Sequence, residues 1–152
     1  MIRIARATNE HAQYVATHLR ESDKRELARA GRTNFEAAVL ESVDVSPFAF
    51  VALQGKKPLC VFGLLPDSVL SPRARLWMLG TPNINLTKKD FVKTCRIVVD
   101  GLLDIYPQLY NAVDANYPQA IRLLQFLGAT FGKTVASPTG APFLIFEIRR
   151  EN

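Results

Sequence analysis

The stretch NAVDANYPQAIRLLQFLGA, residues 111–129, joins two kinds of periodicity within one short segment. It begins as an apolar run that is typical of a buried strand. Pro118 then suits the first turn of a helix, where a missing backbone N–H costs nothing. Gly128 indicates the end of this helix. Before it, apolar residues recur at helical spacing, namely Ala120, Ile121, Leu124 and Leu127. The stretch therefore predicts a strand that leads directly into an amphipathic helix.

The first half of the chain predicts a strand, short helices and then three strands. Ile2 and Ile4 alternate with polar residues, as in a half-exposed strand. Two or three short helices follow; Thr8 caps the first, and the T-x-x-E pattern of residues 33–36 predicts a capping box at the start of the last. Three apolar runs separated by turn residues then predict antiparallel strands: residues 48–53, 59–65 and 75–79.

The second half predicts a long helix and a return to strands. The helix begins near Thr87 and stops before Pro107, and its apolar stripe is formed by Phe91, Cys95, Val98, Leu102 and Ile105. Residues 109–115 form the next strand, and residues 143–148 form the last one. The predicted order is β-α-α-β-β-β-α-β-α-β-β. It describes an α/β (α+β) fold with a mixed, mostly antiparallel sheet flanked by helices, in one domain over residues 1–152.

Charge and composition narrow the class of protein. The chain has 152 residues, 48% of them hydrophobic and 22% charged, which is typical of a globular domain. Nineteen Lys and Arg against fourteen Asp and Glu give a net charge of +5. This excess favours acidic partners, and it is also compatible with an ordinary basic surface. The basic face of the long helix has no interleaved aromatic residues, so nucleic-acid binding is not predicted.

The remaining residue types exclude several classes of site. Cys60 and Cys95 lie far apart inside apolar runs, which predicts buried, reduced thiols. His11 and His18 are too widely spaced to bind a metal ion from adjacent turns, so we predict no metal site. No apolar stretch approaches ~18 residues and the N-terminus has no signal pattern, so we expect a soluble protein that is not secreted and has no membrane partner.

This order of elements, together with the opening stretch, resembles the GNAT superfamily of N-acetyltransferases. A strand, Asn116, Ala120-Ile121 and Leu127-Gly128 are similar to the fourth-helix motif of that superfamily. The segment from residue 76 to residue 146 is also similar to the GNAT-like proteins of tailed bacteriophages, including internal virion proteins of short-tailed phages. The shared features are LWMLGT (76–81), the helix that ends in YP (106–107), NAVDAN (111–116), AIRLLQFLGA (120–129) and GAPFLIFEI (140–148).

The resemblance implies a site for acetyl-CoA in a V-shaped cleft where the fourth and fifth strands separate. These strands would be residues 76–80 and 109–115. Backbone groups of the fourth strand would pair with the pantetheine arm, and the loop that follows would bind the diphosphate at the start of the long helix. The implied cofactor-binding residues are Met78, Leu79, Gly80, Thr81, Lys88, Lys89 and Asn116.

The loop that should bind the diphosphate departs from the family pattern. It reads GTPNINL over residues 80–86, with one glycine and with Pro82, which removes a backbone donor. Lys88 and Lys89 could compensate by charge, although lysines at a helix N-terminus oppose the dipole unless an anion also binds. The alternative is that both lysines are simply solvated. We therefore predict that acetyl-CoA binding is weaker than micromolar or absent.

The catalytic residues of the family are also incomplete. Leu124 occupies the position where many members carry a tyrosine that protonates the leaving thiolate, and leucine has no proton to give. Tyr117, which follows the fifth strand, is the candidate catalytic residue, and Tyr110 is the other nearby hydroxyl. Packing at a helix start is the alternative role for Tyr117. A general base is not evident, since Asp67 lies at a strand end and Asp114 lies on the fifth strand.

Two functions follow from the resemblance. The first is a bacteriophage GNAT-fold protein with a virion or infection accessory role, which binds virion or host proteins in the host cytoplasm or the virion and has reduced or no transfer activity. The second is an active acetyl-CoA-dependent N-acetyltransferase that modifies an amine of a host or phage protein. The missing glycines and the missing tyrosine favour the first.

Overall fold

A computed structural model describes residues 1–150 of the chain. Within them the strands are β1 (Ile2–Arg6), β2 (Phe48–Gln54), β3 (Lys57–Pro66), β4 (Arg73–Gly80), β5 (Gln108–Asp114), β6 (Thr130–Ala136) and β7 (Pro142–Arg149). The α-helices are α1 (Asn9–Thr17), α2 (Glu21–Arg29), α3 (Phe35–Val45), α4 (Lys88–Ile105) and α5 (Pro118–Phe126). A short 3-10 helix, Pro82–Leu86, connects β4 to α4.

Polar side chains cap the N-termini of α1 and α3, and the cap of α3 is one residue later than predicted. The Thr8 hydroxyl accepts from the His11 backbone N–H, and the His11 ring accepts from the Thr8 N–H, so the predicted cap of α1 is confirmed. The predicted capping box at Thr33 is wrong. Asn34 is the N-cap of α3 and accepts from the Ala37 N–H, since Asn caps a helix at least as well as Thr. Three helices thus precede β2, where the predicted order shows two.

The strands form one mixed sheet in the order β1-β2-β3-β4-β5-β7-β6. All neighbouring pairs are antiparallel except β4 and β5, which are parallel. The parallel pair is joined by α4, because parallel neighbours need a long crossover connection. The predicted mixed, mostly antiparallel sheet flanked by helices is confirmed.

Helices cover both faces of the sheet. On one face, α1 and α3 pack on β2 and β3 through a cluster that includes Val15, Val39, Val51 and Val61. On the other face, α4 and α5 pack through a larger cluster, and the predicted stripe of α4 points into it. Phe91 and Leu102 are buried there, and Cys95 and Val98 are half-buried. Ile105 is an exception: at the last turn of α4 it is 55% exposed. Gly128 follows α5 at a φ of +91°, a backbone conformation that favours glycine.

The strands β4 and β5 separate after a short paired segment, as predicted. Only three residue pairs join them, from Arg73 with Gln108 to Arg75 with Tyr110. At the point of separation, the Asn111 side chain replaces the next strand pair. Its Nδ2 donates to the Leu76 carbonyl over 2.8 Å, and its Oδ1 accepts from the Arg75 guanidinium and from its neighbour's backbone N–H. The remaining residues of the two strands therefore border a V-shaped gap.

None of the helices described over residues 1–150 combines the length and the apolarity needed to cross a lipid bilayer.

Candidate active site

One cavity of about 320 Å³ lies in the gap between β4 and β5. On one face of the sheet its wall is mostly apolar and comes from α4 and α5, including Cys95, Val98, Leu123 and Leu124. On the other face, α2 and α3 contribute Glu26, Leu27 and Ser42. A concave, mostly apolar site with a few polar groups is the usual form of a ligand pocket. A cavity with walls from both faces of the sheet can bring two ligands together from opposite sides.

The backbone of β4 presents polar groups to this cavity. The Leu76 carbonyl bonds to Asn111, and both backbone groups of Gly80 bond to residues at the start of α2. Since backbone groups of alternate residues point to the same side of a strand, the N–H and C=O of Met78 also face the gap. The Met78 side chain packs on the larger core, while Leu79 points to the opposite face and packs in the smaller cluster.

Two carboxylates of α2 hold the wide end of the gap. Asp23 Oδ2 accepts from the Gly80 N–H over 2.7 Å, and Glu26 Oε2 accepts from the Asp114 N–H over 3.0 Å. Side chains three residues apart lie on one face of a helix, so this pair spans from the end of β4 to the end of β5. The α2 helix thus sets the width of the opening.

Tyr117 lies at the same opening and contacts this pair. Its hydroxyl is 2.8 Å from Asp23 Oδ1 and 2.8 Å from Ser22 Oγ, and the residue is 3% exposed. Because a carboxylate only accepts, the tyrosine proton is donated to Asp23. Burial, and then the charge of Asp23, raise the pKa of the Tyr117 phenol, so the hydroxyl is protonated at neutral pH. Tyr117 lines the cavity, and its catalytic role stays a prediction.

Asp23 and Asp114 each have a cationic partner. The Arg20 Nε donates to Asp23 over 2.8 Å, and the Arg29 Nε donates to Asp114 over 2.6 Å. Both carboxylates are nearly inaccessible, with 3% and 1% exposure. Asp114 also accepts from the Asn116 N–H. Asp114 is thus a structural ion-pair residue at the end of β5.

Glu26 differs from both aspartates in its environment. It is half-buried and lines the cavity. Burial raises the pKa of its carboxyl from 4.5 to about 7, the bond from the Asp114 N–H lowers it, and the nearby charges of Asp23 and Asp114 raise it. A carboxyl with a pKa near neutrality can both accept and release a proton at physiological pH.

We expect Glu26 to make the stability of the protein depend on pH. Its folded-state pKa is raised, so between pH 4.5 and about 7 the folded chain holds a proton that the unfolded chain has released. The contribution of Glu26 to the free energy of unfolding is therefore fully present below pH 4.5 and is lost as the pH rises through about 7. Glu26→Gln should make the protein more stable than the parent by about 1–3 kcal/mol at pH 8, a range reduced for partial solvent exposure, and by much less at pH 4.5.

Urea unfolding of both proteins at the two pH values measures this difference. Glu21→Gln, at an exposed position of the same helix, is the control and should show no such dependence. An equal effect of Glu26→Gln at both pH values would contradict the raised pKa.

The loop after β4 forms a compact 3-10 turn. The Thr81 side chain is fully buried, and its hydroxyl bonds to the Pro58 and Leu59 carbonyls and to the Asn83 N–H. A Cβ at Gly80 would lie 2.8 Å from Ile84 Cδ1 and 3.1 Å from Arg20 Nε, so a larger residue would displace these neighbours. Because the Thr81 hydroxyl already makes these three hydrogen bonds, its role is to stabilise the loop.

The other predicted residues lie at the starts of α4 and α5 and in the cavity wall. Lys88 and Lys89 are exposed in the first turn of α4, where the N-cap residue Thr87 makes no side-chain cap. Asn116 is exposed, and it does not cap α5, whose N-cap is Tyr117. Leu124 lines the apolar wall of the cavity. The role of these residues in cofactor binding stays a prediction.

Two further polar side chains, Asp67 and Cys95, lie near the gap. Asp67 accepts a hydrogen bond from the Tyr110 hydroxyl at an exposed site near the narrow end of the gap. Cys95 lines the cavity, but burial raises the pKa of its thiol to about 12, so it is not a thiolate nucleophile at neutral pH. Within residues 1–150, no group of three His, Cys, Asp or Glu residues could hold a metal ion.

The α2 residues Asp23 and Glu26 and the N-cap residue Arg20 were not predicted as site residues. The only sequence signal is the i, i+3 spacing of the two acids on a highly charged helix, which is also typical of a solvated surface. Their place at the opening results from contacts with residues 57 and 88 positions further along the chain.

Solved structures that superimpose on this chain include several acetyltransferases. AAC(6')-Ib in complex with ribostamycin and coenzyme A has a TM-score of 0.74 and 16% sequence identity, over 98% of this chain and 93% of that chain. Spermidine N-acetyltransferase SpeG from Vibrio cholerae, in complex with CoA and spermine, has a TM-score of 0.71 and 12% identity, over 97% and 95%. No protein-family model and no curated protein matches this chain. The chain thus has the fold of the GNAT acetyltransferases.

Proposed function

We propose that this protein is an acetyl-CoA-dependent N-acetyltransferase. The observation that carries the proposal is the cavity between the diverging strands β4 and β5, with walls from both faces of the sheet. Such a gap lets an acyl donor and an amine acceptor meet inside the sheet. The comparisons support the donor, since AAC(6')-Ib and SpeG were solved in complex with coenzyme A.

The residues of the cavity fit the thioester end of acetyl-CoA. The apolar wall from α4 and α5 suits a flexible pantetheine chain, and the backbone groups of Met78 face the gap where that chain would need polar partners. Acetyl-CoA, when bound, would supply an activated acetyl group. The Met78 N–H would donate to the thioester carbonyl oxygen in the gap, and such a preorganised donor would stabilise the negative charge that develops there.

The loop at Pro82–Leu86 fits the diphosphate less well. Its 3-10 turn lacks a run of free backbone donors, and Thr81 is already bonded within the loop. Lys88 and Lys89 are the charged groups nearest to the start of α4, and they would hold the phosphates by charge. This combination supports binding that is weak and sensitive to salt.

Calorimetric titration with acetyl-CoA and with free CoA tests the proposal. We expect binding with a dissociation constant above ~1 µM. Lys88→Ala together with Lys89→Ala should weaken it further, and the loss should shrink as salt is added, because the lost interaction is a screened charge interaction. Arg3→Ala together with Arg6→Ala removes the same charge from the exposed edge strand β1 and should have no effect. Absence of binding up to millimolar ligand would contradict the proposed function.

A second candidate function is a bacteriophage virion or infection accessory protein with reduced or no transfer activity. The compact loop after β4 and Leu124 in the cavity wall favour it, because both replace groups that the reaction needs. Its partners would be virion or host proteins, in the host cytoplasm or the virion, and the net charge of +5 suits an acidic partner. A chain that binds acetyl-CoA but releases no free thiol with a panel of primary amines would support this candidate.

A further inference from the structure

Three carboxylates meet at the wide end of the gap, on the face covered by α2. Asp23 and Asp114 are paired with Arg20 and Arg29 and are nearly inaccessible. Glu26 accepts one backbone hydrogen bond, and no cationic side chain within residues 1–150 forms a salt bridge with it. It is the one carboxylate of the three that both lines the cavity and lacks a cation.

We propose that Glu26 is the catalytic residue that takes the proton from the acceptor, and that the acceptor is a cationic primary amine which enters from the face covered by α2 and α3. This inference rests on the proposed function. The cavity lining from α4 and α5 is mostly apolar and contains no charged residue, so it offers an ammonium group no counter-charge to compensate for the loss of water. The face with Glu26 offers the missing counter-charge.

The charged groups around Glu26 support this role. Arg20 is the N-cap of its helix, Asp23 and Arg29 lie on that helix, and Asp114 faces it from β5. With Glu26 ionised, these five groups carry two positive and three negative charges. An ammonium that approaches Glu26 thus meets a net negative site, and its arrival lowers the pKa of that carboxyl, so the carboxylate forms when the acceptor is present.

The proposed reaction conserves atoms and charge. Glu26 accepts one proton from the ammonium, so that the nitrogen lone pair can form a C–N bond with the thioester carbonyl carbon. The C–S bond then breaks and sulfur leaves with the electron pair. The nitrogen loses its second proton, the thiolate gains one, and Glu26 returns its proton to solvent. The net change is one amide and one thiol from one thioester and one amine, with release of the ammonium proton.

Glu26→Gln tests the role, because glutamine keeps the size of the side chain and an oxygen that accepts from the Asp114 N–H. Free CoA thiol is measured with a panel of primary amines from pH 5.5 to 9. In the parent, kcat/KM should rise through a pH near 7, the pKa of Glu26 in the free protein. The variant should lose roughly 10²-fold or more in kcat and should lose that inflection, while acetyl-CoA binding stays as in the parent.

Two comparisons separate this role from a structural one. Glu21→Gln on the same helix should retain the parental profile and rate. A Glu26→Gln protein that keeps the parental pH profile would overturn the inference. If the parent protein binds acetyl-CoA but acetylates no cationic amine, the inference about Glu26 is also wrong, while the acetyl-CoA site is retained. If the parent protein binds no acetyl-CoA, the proposed function itself is wrong, and the inference that rests on it is wrong too.

Discussion

Asp23→Ala should destabilise the protein by about 3–5 kcal/mol, the usual scale for breaking a buried ion pair by removing one partner. Asp23 is 3% exposed and accepts from the Gly80 N–H, the Arg20 guanidinium and the Tyr117 hydroxyl. The substitution removes the acceptor of the Gly80 N–H and of the Arg20 Nε, and it leaves the Tyr117 hydroxyl with Ser22 alone. A buried donor without a partner costs free energy. Urea denaturation at pH 7 measures the loss.

Glu21→Ala is the matched control for Asp23→Ala. Glu21 is on the same helix and pairs with Lys24 at the surface, where its side chain is 90% exposed. Exposed pairs of this kind contribute little, so the change should be below about 1 kcal/mol. If Asp23→Ala were no more destabilising than this control, the hydrogen bonds at the end of β4 would not hold α2 against the sheet.

Tyr117→Phe should lower turnover by roughly 10²-fold or more, if the Tyr117 hydroxyl protonates the leaving thiolate. The change keeps the ring and removes only the hydroxyl that lies 2.8 Å from Asp23. Release of free CoA thiol with a responsive amine gives the rate, and the dissociation constant of acetyl-CoA should stay close to that of the parent. A loss of kcat at constant binding would indicate a role in the reaction rather than in the pocket.

The structure also gives Tyr117 a second role, which needs its own control. Its hydroxyl is part of the hydrogen-bond network of Asp23, so its removal should also cost about 1 kcal/mol of stability. Ser22→Ala removes the other hydroxyl contact and leaves the tyrosine proton in place. Full activity in Ser22→Ala and a low rate in Tyr117→Phe would assign the effect to that proton, whereas equal rates in both variants and the parent would exclude it.

The sequence by itself determined most of the elements and their order, although three helices precede β2 where the predicted order shows two. The strand and helix of residues 111–129, the helix that begins near Thr87 and the end of α5 at Gly128 all follow from periodicity and capping, which act between residues a few positions apart. The gap between β4 and β5 was predicted from a family resemblance, and the short ladder of three pairs confirms it. Local signals failed where two caps competed, at Thr33 and Asn34.

Only the tertiary structure decided which charged residues meet at the opening of the gap. Asp23 and Gly80 are 57 positions apart, and Glu26 and Asp114 are 88 apart, so no local pattern connects them. From its sequence, α2 is an ordinary charged surface helix. Its packing against the sheet buries Asp23 and partly desolvates Glu26. The pKa of Glu26 is a property of that burial, because desolvation exists only once the chain has folded. Residue types and local periodicity are encoded along the chain, whereas the environment of a carboxylate depends on contacts between distant segments.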